Sequence, residues 1–116
     1  EIKKIFFERG WIKVPKFFDK EFIANIHYEL DVFVKEIAPN LKDGDIHYSG
    51  IEINTIHVLS QYSEFFNALL NNPKVVDLMN HILDGPVEPQ WVQYFAKPPL
   101  VGKAVPMHQD NYCWCV

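Results

Sequence analysis

The sequence has few of the features that mark secreted, membrane-bound or nucleic-acid-binding proteins. It contains 2 cysteines in 116 residues, and no apolar run approaches the roughly 18 residues that a membrane span requires. The 11 Lys and Arg residues stand against 15 Asp and Glu residues, which gives a net charge of −4 and no basic surface for nucleic acid. We therefore expect a cytoplasmic protein, monomeric by default, with no nucleic-acid partner and no membrane partner.

The two cysteines, Cys113 and Cys115, lie two residues apart in an extended apolar run. On a strand their side chains would point to the same face, which is poor geometry for a disulfide bridge between them. We expect both thiols to be reduced. A zinc site built on Cys-x-Cys is an alternative, although the chain offers no second pair of cysteines to complete it.

The composition is that of a globular domain with a substantial core. Hydrophobic residues make up 48% of the chain and aromatic residues 15%, at a length typical of a single domain. Internal repeats, phosphate-binding glycine loops and nucleophile-elbow motifs are absent from the sequence. Function must therefore be sought in scattered polar residues on an otherwise apolar framework.

Four segments have the apolar periodicity and the boundary residues of helices. Gly10 is placed to cap the first helix at its C-terminus. Asp19 is placed to begin the second helix, and Pro39 to stop it. Asn72-Pro73 begins the last helix, and Gly85-Pro86 closes it. The predicted helices are residues 2–9, about 20–38, a short segment capped by Ser63, and the segment that starts at Pro73.

Extended segments rich in β-branched and aromatic residues predict strands at 11–15, 51–58 and 90–96, and again at the end of the chain. The polar segment 40–50 is predicted to be a loop, in which His47 can face the mouth of an active site. Because helices come first and strands become denser toward the C-terminus, the order favours an α+β domain with a helical layer on an antiparallel sheet or barrel.

The last stretch of the chain, Pro106 to Val116, combines an imidazole and a carboxylate at the spacing His-x-Asp. If this stretch is a strand, His108, Asp110, Tyr112 and Trp114 lie on one face. His-x-Asp supplies two of the three ligands of the facial triad of non-haem Fe(II) oxygenases, whose third ligand is a distant His. The alternative is a surface strand whose His and Asp share a hydrogen bond.

The two ends of the sequence suggest that it is part of a longer domain. It begins without Met, and it ends in an apolar, strand-like run with no polar tail. A natural domain rarely ends inside what looks like a central strand, because the neighbours of that strand would be missing. We expect these residues to be the N-terminal part of a larger domain.

The segment from Gln93 to Trp114 resembles the phytanoyl-CoA dioxygenase family of Fe(II)- and 2-oxoglutarate-dependent oxygenases. The resemblance lies in a Lys97-Pro98-Pro99 turn, a connector with Gly102-Lys103, and then His108-Gln109-Asp110 followed by aromatic residues. It implies N-terminal helices packed on part of a double-stranded β-helix (jelly-roll) barrel, truncated in this chain. Residues 1–116 would be the N-terminal part of a single oxygenase domain, with a helical layer over about 1–85 and the first barrel strands over about 87–116.

The resemblance also implies the roles of individual residues. His108 and Asp110 would be two of the three iron ligands, and Gln93, with His57 as a second contact, would bind the cosubstrate 2-oxoglutarate. Tyr112 and Trp114 would line the substrate pocket. The third ligand His and the Arg that binds 2-oxoglutarate are expected after Val116.

The implied activity is O2-dependent hydroxylation of an unactivated C–H bond in a small organic or acyl substrate. Residues 1–116 by themselves are expected to be inactive, because the third ligand and the Arg are missing from them. A non-catalytic binding or structural module on the same barrel fold is the alternative.

Overall fold

The computed structural model of the chain describes residues 1–110 and has a mixed α+β architecture, as predicted. No helix within this range is long and apolar enough to cross a membrane. In chain order the elements are α1 (Ile2–Arg9), α2 (Lys20–Val32), β1 (Ile46–Ser49), β2 (Glu52–Ile56), α3 (Leu59–Tyr62), α4 (Glu64–Leu70), α5 (Pro73–Leu83) and β3 (Tyr94–Phe95).

The predicted helix boundaries are confirmed by hydrogen bonds at the caps. The side-chain oxygens of Asp19, Ser63 and Asn72 each accept a hydrogen bond from a backbone N–H in the first turn of α2, α4 and α5. Gly10 ends α1 with a left-handed φ of 78°. At the end of α5 the prediction was one residue late, because Asp84 itself adopts the left-handed conformation, with a φ of 58°.

The long predicted helix 20–38 is continuous but changes its winding. After α2 the chain forms a π-helical turn, Phe33–Ile37, and then a 3-10 turn, Ala38–Asn40. Pro39 lies within this last turn, at a position where the missing N–H of proline leaves no helical hydrogen bond unmade. The wider π turn keeps Phe33 in the core, where its ring lies edge-on to Phe66 with centroids 6.0 Å apart.

The three strands form one antiparallel sheet in the order β1-β2-β3. Ile46 pairs with Ile56, and Ile56 pairs with Tyr94, so these three residues form one row across the sheet. A β-bulge interrupts the β1–β2 pairing after His47. His47 is opposite Thr55 and Tyr48 is opposite Ile53, so Asn54 is an extra residue on β2.

The hydrophobic core lies between this sheet and the helices. Ile56, on the central strand, is 0% exposed, and it packs in one cluster with buried residues of the π turn, α3 and α4. The fully buried or nearly buried apolar members of this cluster are Phe33, Ala38, Ile46, Ile56, Leu59 and Phe66.

Several strand predictions were wrong, and each error has the same physical reason. Residues 11–14 and 102–109 form no strand, and of the predicted strand 90–96 only Tyr94–Phe95 becomes a strand, β3. The predicted loop 40–50 instead contains β1, because β2 offers it a partner. An extended segment becomes a strand only where another strand accepts its hydrogen bonds, and residue composition does not record where that partner lies.

Replacement of Ile56 tests how far the stability of the fold depends on the row formed by Ile46, Ile56 and Tyr94. We expect Ile56→Ala to lower the free energy of unfolding by about 2–5 kcal/mol, because it leaves a cavity in a closely packed cluster. Ile51→Ala is the matched control, since Ile51 is 93% exposed and its truncation should change stability by less than about 0.5 kcal/mol. Urea denaturation of the two variants measures both values, and equal losses would contradict the assignment of the core.

Candidate functional site

The sheet has one face packed on the helices and one face turned away from them. In the row next to the core row, His47 pairs with Thr55 and Thr55 with Phe95, so these three residues share the second face. His57 and Gln93 lie two residues further along their segments and therefore extend the same face. The register thus gathers polar and aromatic side chains opposite the hydrophobic core.

The side chains of Gln93 and His57 are joined by a hydrogen bond on this face. The distance from Gln93 Nε2 to His57 Nδ1 is 3.0 Å. With the amide donating, Nδ1 of the neutral ring is the acceptor and the proton lies on Nε2. Nε2 of His57 then offers its N–H to an anion such as a carboxylate. If the Gln93 amide were turned so that its oxygen faced the ring, Nδ1 would be the donor and Nε2 the acceptor.

His47 is a third member of this group, which the sequence did not place there. Its ring lies nearly perpendicular to that of His57, with centroids 5.2 Å apart and an interplanar angle of 79°. The sequence prediction put His47 in a loop, although in the structure it lies on β1. The signal that was missed is the short extended run Ile46–Ser49, which is too short to identify without its partner strand.

A cavity of about 370 Å³ opens beside the Gln93–His57 pair. Its lining residues include three glutamines, Gln61, Gln90 and Gln93, together with Trp91 and His57. No Asp, Glu, Lys or Arg of the described part of the chain lines it. Recognition here therefore relies on hydrogen bonds and ring contacts and not on a carboxylate, ammonium or guanidinium group of the described chain.

The predicted metal ligands His108 and Asp110 lie side by side at the end of the described chain. His108 Nε2 and Asp110 Oδ1 are 3.2 Å apart. His108 Nδ1 is 2.8 Å from the backbone oxygen of Pro106, and because a carbonyl oxygen only accepts, Nδ1 must carry the proton. In the neutral ring, Nε2 therefore presents a lone pair toward a carboxylate oxygen; in the protonated ring, the two groups form an ion pair.

This geometry fits a first-row metal ion held by both residues. Two ligands bound at about 2.1 Å and at right angles on one metal lie about 3 Å apart, close to the separation observed here. A histidine whose other ring nitrogen donates to a backbone carbonyl is the usual arrangement in metal sites. No group of three His, Cys, Asp or Glu side chains suited to a metal occurs within residues 1–110, so the pair has no third ligand there.

The strand predicted to carry this pair is not formed over residues 102–109. The pair comes together in a segment without regular secondary structure, where His108 donates to the carbonyl of Pro106, a residue that lacks an N–H for strand pairing. No hydrogen bond or ring contact within residues 1–110 joins it to the Gln93–His57 pair. Tyr112 and Trp114, like Cys113 and Cys115, lie outside the described residues, and their roles stay predictions.

The connector between β3 and His108 is closed by a turn that requires glycine. The N–H of Gly102 donates to the carbonyl oxygen of Pro98 over 2.9 Å. A side chain at Gly102 would bring its Cβ to 2.9 Å from that same oxygen and 3.2 Å from the carbonyl carbon of Lys97. The Lys-Pro-Pro and Gly-Lys parts of the sequence motif thus belong to one compact turn.

Comparison with known proteins gives one match. A family model described as phytanoyl-CoA dioxygenase (PhyH) matches residues 6–115. Searches of the curated proteins and of the solved structures found no match. The matched range includes all four of the predicted metal and cosubstrate residues that the structure describes.

Removal of the Gln93 amide tests whether it determines the tautomer of His57. In the unaltered protein we expect the neutral His57 ring to carry its proton on Nε2, and in Gln93→Leu we expect both tautomers to be populated, because the donor to Nδ1 is gone. The ring ¹⁵N chemical shifts measure this directly. Gln90→Leu is the control, since Gln90 lines the same cavity but bonds the backbone oxygen of Glu88; an equal change there would contradict the assignment.

Proposed function

Because the chain belongs to the phytanoyl-CoA dioxygenase family, we propose that it carries part of the active site of an Fe(II)- and 2-oxoglutarate-dependent dioxygenase. Oxygenase activity of this general type is what the family implies. The proposed reaction is hydroxylation of an unactivated C–H bond in a small organic or acyl substrate, with O2 as the oxidant. The partner of the protein would then be a small molecule.

The architecture supports a barrel of the double-stranded β-helix type. The three-stranded antiparallel sheet packs one face on helices and leaves His47, His57 and Gln93 on the other. In a barrel with helices outside, the face away from the helices is the interior, where ligands bind. We assign β1, β2 and β3 to the wall of such a barrel.

The observation that carries the proposal is the geometry of His108 and Asp110. Nε2 of the imidazole and Oδ1 of the carboxylate converge to 3.2 Å, and the Pro106 carbonyl orients the ring by accepting from Nδ1. We propose that these two atoms hold iron in the facial triad, and that the backbone of Pro106 keeps the imidazole in the tautomer that offers its lone pair.

Gln93 and His57 are proposed to bind the cosubstrate. If the Gln93 amide donates to Nδ1, the Nε2–H of His57 is directed to an outside acceptor, and a carboxylate of 2-oxoglutarate is such an acceptor. When bound, iron and 2-oxoglutarate supply the oxidising chemistry, while the protein positions them. The aromatic side chains of Trp91 and Phe95 on the same sheet face, with Tyr112 and Trp114 as proposed pocket residues, would limit the access of water to the site.

Loss of the histidine ligand is the direct test of this function. In the full-length protein we expect Fe(II)-dependent formation of succinate from 2-oxoglutarate, reduced by about a hundredfold or more in His108→Ala because bound metal contributes several kcal/mol. The matched control is His27→Ala, an exposed histidine of α2, which should retain the activity of the unaltered protein. Succinate is measured by NMR.

Two results would contradict the proposal. Equal succinate yields from His108→Ala and His27→Ala would remove His108 from the metal site. A folded protein that forms no succinate in any variant would instead support the non-catalytic module on the same barrel.

Residues 1–116 produced by themselves provide a second test. In the order implied by the family the third ligand follows Asp110, and residues 111–116 contain no histidine. We expect this piece to form no succinate and to bind Fe(II) or Co(II) more weakly than a form with three ligands, by roughly 100-fold or more, since loss of even an outer partner weakens metal sites 10- to 100-fold. Calorimetric titration with Co(II) measures the affinity, and equal affinities would show that the triad needs no later residue.

A further inference from the structure

A second cavity, of about 400 Å³, is lined by Phe95, which lies two residues along the chain from Gln93. The β1–β2 turn forms one wall with Tyr48 and Ser49, and the connector after β3 forms the opposite wall with Lys97 and Lys103. Its volume is within the range of small-molecule sites. None of the residues proposed to bind iron or 2-oxoglutarate lines it.

This second cavity is cationic in a chain whose net charge is −4. Lys97 and Lys103 both line it, and no Asp or Glu within residues 1–110 does. Neither ammonium group has an ion-pair partner among these described residues, where the pairs are Lys3–Asp84, Lys4–Glu8 and His108–Asp110. Two positive charges at one opening, with no acidic residue of the described range beside them, raise the local concentration of anions and favour their binding.

The rest of the lining is largely aromatic and aliphatic. Phe95 and Tyr48 remain 58% and 54% exposed, so both present aromatic surface at the cavity. Val101 and Val105 add aliphatic surface from the connector. A ligand that fills this space therefore needs an apolar part as well as an anionic group.

The base of the cavity is held by hydrogen bonds within the protein. Asn54, the extra residue at the β-bulge, donates through side-chain Nδ2 to the backbone carbonyl of Ala96 over 3.0 Å. The backbone carbonyl of Asn54 accepts from the Ala96 N–H over 2.7 Å. Its side-chain oxygen accepts from the Thr55 hydroxyl at 2.8 Å. One N–H and the oxygen of this amide are already used within the protein, so the two lysines, Ser49 and the Tyr48 hydroxyl are the principal side chains left to bind a polar ligand.

We propose that this cavity binds the anionic group of the substrate, a phosphate or a carboxylate, with Lys97 and Lys103 as its ligands and Phe95 and Tyr48 against the adjoining apolar part. The proposal rests on the proposed function for the identity of the ligand as substrate. Phe95 connects the two sites, since it borders this cavity and lies on the same sheet face as Gln93, about 7 Å along the strand.

Binding of simple anions to the purified full-length protein, without iron, tests the proposal. The probes are phenyl phosphate and benzoate, with benzyl alcohol as the uncharged counterpart, and calorimetric titration gives each Kd. We expect Lys97→Gln and Lys103→Gln each to weaken anion binding by about tenfold, because each removes one charge-assisted contact. Lys42→Gln is the matched control, an exposed lysine that lies outside the cavity, and should leave both Kd values unchanged.

The results separate the proposal from its rivals. The anion that binds more tightly identifies the preferred group as phosphate or carboxylate. Either preference supports the proposal if both lysine variants weaken the binding of that anion. The proposal is overturned if neither anion binds, if the Lys97→Gln and Lys103→Gln variants bind the anions as tightly as the unaltered protein, if Lys42→Gln weakens binding equally, or if benzyl alcohol binds as tightly as the anions.

The same measurements distinguish failure of this proposal from failure of the proposed function. The titration requires neither iron nor turnover, so lysine-dependent anion binding without any succinate formation would support the cationic site while contradicting the oxygenase. Succinate formation that depends on His108, in a protein that binds neither anion, would support the oxygenase and contradict the cationic site.

Discussion

The register of the central strand β2 is the constraint on which the rest of the structure depends. Ile56 pairs on both sides and is fully buried against the helices, so the neighbouring residues of β2 must point to the opposite face. A slip of one residue would place Thr55 and His57 in the apolar core and move Ile56 to the face that carries His47 and Phe95. The hydrophobic core therefore determines which polar side chains are presented for chemistry.

Two sites of different character follow from this arrangement. The cavity beside His57 and Gln93 is lined by glutamines and a tryptophan, whereas the cavity beside Lys97 and Lys103 is positively charged. The β-bulge at Asn54 contributes to this difference, because it ties the end of β3 to β2 and so sets the start of the connector. These two cavities are the places proposed for cosubstrate and for substrate.

The candidate site was partly predictable because some of its contacts are local in sequence. His108 and Asp110 are two residues apart, so a short stretch of chain brings them together even though the strand predicted there is not formed. Gln93 and His57 lie 36 residues apart and were linked to each other only through resemblance to a family. His47 was assigned to a loop, because nothing in its immediate sequence reveals that β2 pairs with it.

By itself, the sequence determined α1, α2, α4 and α5 with their caps, and the pairing of an imidazole with a carboxylate near the end of the chain, whereas the short α3 was not predicted. These features depend on interactions over one to four residues, which composition and spacing record. The tertiary structure decided the pairing of β1 with β2, the contact of His47 with His57, and the meeting of Lys97 and Lys103 with the β1–β2 turn. Those features depend on which distant segments pack together, and that choice is made by burial of the shared core around Ile56.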